Sequence, residues 1–196
     1  GCQRMVEDWE KILQVHSLVL SPHEEQEAWL KYASLCRKAG QQDPSHKTLI
    51  MLLGQNPSED PSEPLPFGPS PQVAYAYAKH LWMGNQKDVA FTKLHEFVDS
   101  ILHPQVRNMN SEDLEMHSEL NSLLAKCYLR LGMWQEELEG VTASSIPAVL
   151  HCYTAATQHD PNWYKAWHAW ACMNFEAVLH HVEEDPIQWK PYCVAA

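Results

Sequence analysis

The chain has 196 residues, 45% of them hydrophobic, enough to bury a core or a short stack of helix pairs and too many for wholesale disorder. A net charge of −11 argues against a general nucleic-acid or acidic-membrane surface, since either needs an excess of Lys and Arg. No apolar run reaches the ~18 residues of a membrane span, no signal peptide opens the chain, and seven glycines are few for an all-β fold.

Residues 2–18 set Cys2, Met5, Val6, Trp9, Ile12, Leu13 and Val15 at helical spacing. With no cap ahead of them, the chain is expected to start inside a helix, at a cut edge of something larger. Ser21-Pro22-His23-Glu24 has the capping-box arrangement and opens the next helix, which Lys38-Ala39-Gly40 closes. Asp43-Pro44 starts its partner, Ser45 to Leu53, ended by Gly54, so the pair forms a hairpin of tetratricopeptide size. The prolines at 57, 61, 64, 66, 69 and 71 make residues 55–71 an irregular surface loop.

Ser70-Pro71 restarts a helix to Met83, Gly84-Asn85 turns, and Lys87 to Leu102 carries Val89, Ala90, Leu94, Phe97, Val98 and Ile101 on one side. A polar stretch, His103 to Asn110, precedes a helix from Ser111 to Leu131-Gly132, where the glycine reads as a stop. Met133 to Leu138 looks like the first turns of a partner helix, interrupted at Gly140 to Ser145, and Ile146-Pro147 begins another through Ala156. Asp160 is expected to cap the final helix with Pro161 at its first position, and Trp163, Trp167, Trp170 and Ala171 fall on one side of it. Asp185-Pro186-Ile187 to Ala196 show no usable period, and residues 182–196 read as an unstructured tail. The fold expected is all-α, a solenoid of helical hairpins burying a core between neighbours.

Six cysteines without a C-x-x-C pair read as buried thiols in a reducing, intracellular compartment. Twelve histidines include no His-x-x-x-His, and His180-His181 point about 100° apart on a helix, so no metal is expected. No catalytic constellation is legible either: the chain has no phosphate-binding glycine loop and no kinase-type catalytic stretch. The pattern with chemistry in it comes from aligning the repeats. Ala78-Lys79 and Ala125-Lys126 share a slot, Arg130 follows Lys126 by one turn, and Lys38 follows the equivalent Ser34 by one turn. Equivalent slots of a solenoid line up along one face. Two such charges ~8 Å apart at an effective dielectric of ~20 repel by roughly 2 kcal/mol, so a converging set calls for an anion. Solvated lysines on helix faces are the plain alternative.

Trp163-Tyr164-Lys165-Ala166-Trp167-His168-Ala169-Trp170-Ala171 with Met173 to Val178, together with Trp29 to Cys36, Tyr75-Ala76-Tyr77, and Ile146-Pro147 with Ala155-Ala156-Thr157, resembles the FAT domain of target-of-rapamycin kinases, in the same order. The resemblance covers residues 1–181 and leaves the tail 182–196 outside it. It implies a non-catalytic helical scaffold beside a serine/threonine-protein kinase domain in nutrient and growth signalling. The implied neighbours are that kinase domain, adjoining repeats and TOR-complex subunits, with no nucleic acid and no membrane insertion. The implied location is cytoplasmic, with lysosomal-membrane association through the parent complex. It also implies a structural inositol hexakisphosphate, with Lys38, Lys79 and Lys126 matching its ligands and Arg4, Arg130 and Lys165 matching surrounding basic positions. Lys126 stands where relatives carry Arg, which keeps the charge and loses the bidentate fork. A free-standing tetratricopeptide-like adaptor with a peptide in its groove is the other reading.

Overall fold

A computed structural model describes residues 6–57, 64–67, 70–108 and 114–184, with side chains through Leu179. The described residues form helices α1 (Val6–His16), α2 (Gln26–Lys38), α3 (Gln42–Leu53), α4 (Pro71–Met83) and α5 (Lys87–Phe97). A π-helical segment (Val98–Leu102), α6 (His103–Asn108), α7 (Leu114–Glu139), α8 (Ile146–His159) and α9 (Tyr164–Glu184) follow. The all-α solenoid expectation holds. The chain divides into two compact units, residues 1–97 and 98–196.

In the first unit each helix packs on its successor, and α2 also touches α4, so first helices of consecutive hairpins meet as in a solenoid. Leu13 of α1 packs with Tyr32 and Cys36 of α2, and Trp9 and Trp29 flank them. The Ser21–Glu24 box forms, with the Ser21 N–H and hydroxyl both donating to the Glu24 carboxylate at 2.7 Å. Those bonds hold the Glu24 carboxyl below its ordinary range. The box closes a turn, however, and α2 starts only at Gln26. Gly54 ends α3 in the left-handed region at φ 74°, whereas in the α4–α5 turn Asn85, not Gly84, takes the positive φ (64°). In the proline-rich connection, among the described residues, Pro57 and Leu65 are buried, so these positions do not lie on the surface.

The second unit differs more from its sequence reading. α7 runs unbroken through Gly132, which is no stop: a Cβ there would lie 2.4 Å from Tyr153 Cε1. The glycine exists for close approach of α8, whose Tyr153 is buried and donates its hydroxyl to Glu136. Residues 103–108, part of the polar stretch, are helical because a π turn carries the helical path past Leu102. Val89, placed on the buried side of α5, is exposed, and Leu102 is buried instead.

Asp160 caps the end of α8, its N–H donating to the Ala156 carbonyl, and does not start α9. Pro161 and Asn162 make a turn, and the helix begins at Tyr164. The buried stripe of α9 is Ala166, Met173 and Ala177 against Leu129, Ile146, Val149 and Tyr153, not the Trp163–Trp167–Trp170–Ala171 side. Trp170 packs at its edge and donates to Thr154 Oγ1, while Trp167 is 44% exposed and donates to the Pro161 carbonyl at 2.7 Å. α9 continues to Glu184, so 182–184 are helical, and the rest of the segment read as a tail lies outside the described residues. Among the described residues no helix is long and apolar enough to cross a membrane.

Candidate functional site

The cations singled out in the sequence fall in both units. Lys38 ends α2 and is exposed. Lys79 is half-buried on α4 with its ammonium 4.1 Å from the centre of the Tyr75 ring, a cation–π contact that holds the stem along the helix. Since α2 and α4 are in contact, both lysines belong to one helical layer. In the second unit, Lys126 is exposed on α7, and Arg130 lies one turn further along it, half-buried. Its Nε is buried with no hydrogen-bond partner, a donor whose desolvation nothing offsets. Lys165 is exposed in the first turn of α9, which touches α7. Arg4 lies outside the described residues.

Sequence reasoning passed over the buried neighbours of Lys38 and Lys79. Arg37 is 8% exposed and reaches across to α4, its guanidinium donating to the Ala76 carbonyl at 3.4 Å and to Ser34 Oγ at 3.3 Å. Beside it, His80 of α4 stacks on His46 of α3 with ring centroids 5.3 Å apart, and Tyr77 lies against both rings. His80 Nδ1 has no hydrogen-bond partner. The only signal for this cluster was the i, i+3 spacing of Tyr77 and His80, which core packing also produces.

Burial, then His46 and Arg37, push the His80 imidazole down to about 4 from its ordinary 6.5. Between those values the folded state therefore binds fewer protons than the unfolded chain, so stability is intact above about pH 6.5 and falls as pH drops toward about 4. The first unit should lose roughly 2 kcal/mol across that window, after allowance for partial solvent access. Chemical denaturation at pH 7 and pH 4.5 checks this: His80→Leu should shrink the acid loss, and an unchanged loss would remove His80 as its source.

Among the described residues no group of three or more His, Cys, Asp or Glu is arranged to hold a metal ion. Cys36 and Cys127 are buried as expected, Cys152 is partly buried and Cys172 is exposed on α9. What the described residues offer is a set of cations on helix faces backed by buried aromatic and guanidinium packing.

Comparison with known proteins agrees with that architecture. The FAT domain pattern matches residues 1–196, including 182–196, which the sequence reading left outside the family. The chain is 49% identical over 179 residues to the serine/threonine-protein kinase mTor of Drosophila melanogaster, covering 91% of this chain and 7% of that protein. It is 36% identical over 195 residues to the serine/threonine-protein kinase tor1 of Schizosaccharomyces pombe, covering 94% of this chain and 8% of the relative. Against the serine/threonine-protein kinase TOR of Arabidopsis thaliana it is 36% identical over 203 residues, covering 100% of this chain and 8% of the relative. The chain thus spans less than a tenth of the length of these curated relatives. With helical hairpins in both units and a family match along its whole length, the chain belongs to the FAT domain family.

Proposed function

We propose that this chain is a non-catalytic helical scaffold segment of a target-of-rapamycin serine/threonine-protein kinase, and that Lys38, Lys79, Lys126, Arg130, Lys165 and Arg4 hold a structural inositol hexakisphosphate. Its neighbours in that setting are the kinase domain, adjoining repeats and TOR-complex subunits. The setting is cytoplasmic, with lysosomal-membrane association through the parent complex. The observation that carries the ligand is Arg130, whose buried Nε lacks a hydrogen-bond partner one turn from Lys126. An anion with several oxygens could accept from that donor while facing the neighbouring ammonium.

Melting the protein with added inositol hexakisphosphate tests the assignment. At ~100 times its dissociation constant the ligand should add about 2.7 kcal/mol to the folded state, and the gain should shrink as salt is raised. Lys79→Glu combined with Lys126→Glu should abolish the shift. Equal shifts in parent and variant, or none in the parent, would return these residues to solvated helix faces. A shift produced by an extended peptide and not by the polyphosphate would favour an adaptor groove.

A further inference from the structure

We propose that Ser21 is a phosphorylation site for a proline-directed serine/threonine kinase, and that phosphate there loosens the turn that ties α1 to α2. The chain has two Ser-Pro pairs, Ser21-Pro22 and Ser70-Pro71, and the fold presents them differently. Ser21 lies between α1 and α2 in a connection where Ser17, Leu18, Val19 and Leu20 are also exposed, so a kinase cleft reaches the hydroxyl and the residues leading to it. Pro22 disfavours helical backbone at Ser21 and pushes it toward the extended form in which a substrate enters such a cleft. Ser70 is half-buried, its hydroxyl bonded to Gln26 and Gln72, and Pro71 behind it is buried as the first residue of α4.

The transfer balances with MgATP as co-reactant. The Ser21 O–H bond breaks, an O–P bond forms to the γ-phosphorus, the bond from that phosphorus to ADP breaks, and the proton passes to the base of the kinase. In the unmodified chain the Ser21 hydroxyl and N–H both donate to the Glu24 carboxylate at 2.7 Å. Its carbonyl accepts from the Glu24 and Glu25 N–H groups at 3.1 and 3.3 Å, which keeps both acidic residues beside Ser21. Glu25 in turn pairs with His16 Nδ1 of α1 at 2.6 Å, and that contact ties the turn to the preceding helix. A phosphoserine has no hydroxyl proton to give and carries close to two negative charges at neutral pH, so it repels Glu24 and Glu25 together. The box then opens, Glu25 is drawn from His16, and α1 is left to its apolar contact, Leu13 on Tyr32 and Cys36.

The experiment treats the full chain with MgATP and a mitogen-activated protein kinase and maps phosphate by peptide mass spectrometry. Ser21 should be labelled about tenfold faster than Ser70 or more, although both precede proline. Pro22→Ala should slow labelling of Ser21 by about tenfold, and Ser21→Ala should remove it. Hydrogen exchange of the α1 amides, read by mass spectrometry, should then quicken by about threefold or more in the phosphorylated chain. In Glu24→Gln that acceleration should fall by about half, because the nearest like charge is gone. All three substitutions lie in the connection outside the helices, and circular dichroism on each variant verifies helix content. No label on Ser21, equal labelling of Ser70, or labelling that survives Pro22→Ala would overturn the site. Label on Ser21 with unchanged exchange in α1 would overturn its effect on the turn.

Discussion

Gly132→Val should destabilise the second unit by roughly 3 kcal/mol or more, although valine has the better helix propensity. An added Cβ would lie 2.4 Å from Tyr153 Cε1 and 2.9 Å from Cδ1, closer than real carbon contacts allow. The ring cannot easily yield. Tyr153 is 2% exposed, packed among Leu129, Ile146 and Val149, and its hydroxyl is bound to Glu136, whose carboxyl burial pushes above its ordinary range. Relief therefore requires α8 to move away from α7, opening a void along their shared surface. Gly132→Ala should cost about 1–3 kcal/mol, less the ~1 kcal/mol that replacing a helical glycine returns. In a Tyr153→Leu background the alanine should become neutral or stabilising, because the clashing ring is gone. Denaturant unfolding measures all three, and a raised melting temperature for Gly132→Ala alone would show that α8 adapts at little cost.

Tyr77→Ala should remove about 3–5 kcal/mol from the first unit, the range for emptying an aromatic site in a packed core. Tyr77 is 1% exposed on α4 and lies against His46 of α3 and His80 of its own helix. Its loss leaves a void where α3 meets α4 and lets water reach the His80 imidazole. A loss of that size is roughly a third to a half of the ~10 kcal/mol typical of a domain, so the denaturant midpoint of the first unit should fall clearly. The same variant should bring His80 back toward its ordinary value of 6.5, observable by proton NMR titration, since burial is the main cause of its depression. A loss below about 1 kcal/mol with an unmoved His80 would mean that the neighbouring side chains refill the space.

The sequence by itself determined where helices lie, because caps, prolines and the 3.6-residue period are local. Ser70-Pro71, Lys38-Ala39-Gly40, Gly54 and Ile146-Pro147 mark element ends within a residue or two of where the chain places them. Family membership was legible for the same reason: separated Trp and Tyr motifs are read off the chain without knowing their contacts. Of the candidate site, the charged residues were legible and their surroundings were not. No spacing rule reveals that Arg37 is buried against α4 or that Arg130 leaves a donor unpaired, whereas the i, i+4 spacing of Tyr75 and Lys79 does allow their contact.

Tertiary structure alone decided the rest, because the same residue serves opposite purposes depending on what packs against it. Glycine ends a helix when the next residue must turn and continues one when a ring needs the room, and only the position of Tyr153 tells which applies at Gly132. Asp-Pro starts a helix where the preceding one has already ended. At Asp160 the carbonyl of Ala156 takes the Asp N–H first, α8 claims the residue, and α9 begins at Tyr164. In α9 Ala166 is buried and Trp167 is exposed, because the neighbours that pack on the helix meet it on the Ala166 side. A stripe of tryptophans gives the strength of a hydrophobic face, but its direction belongs to the neighbour that buries it.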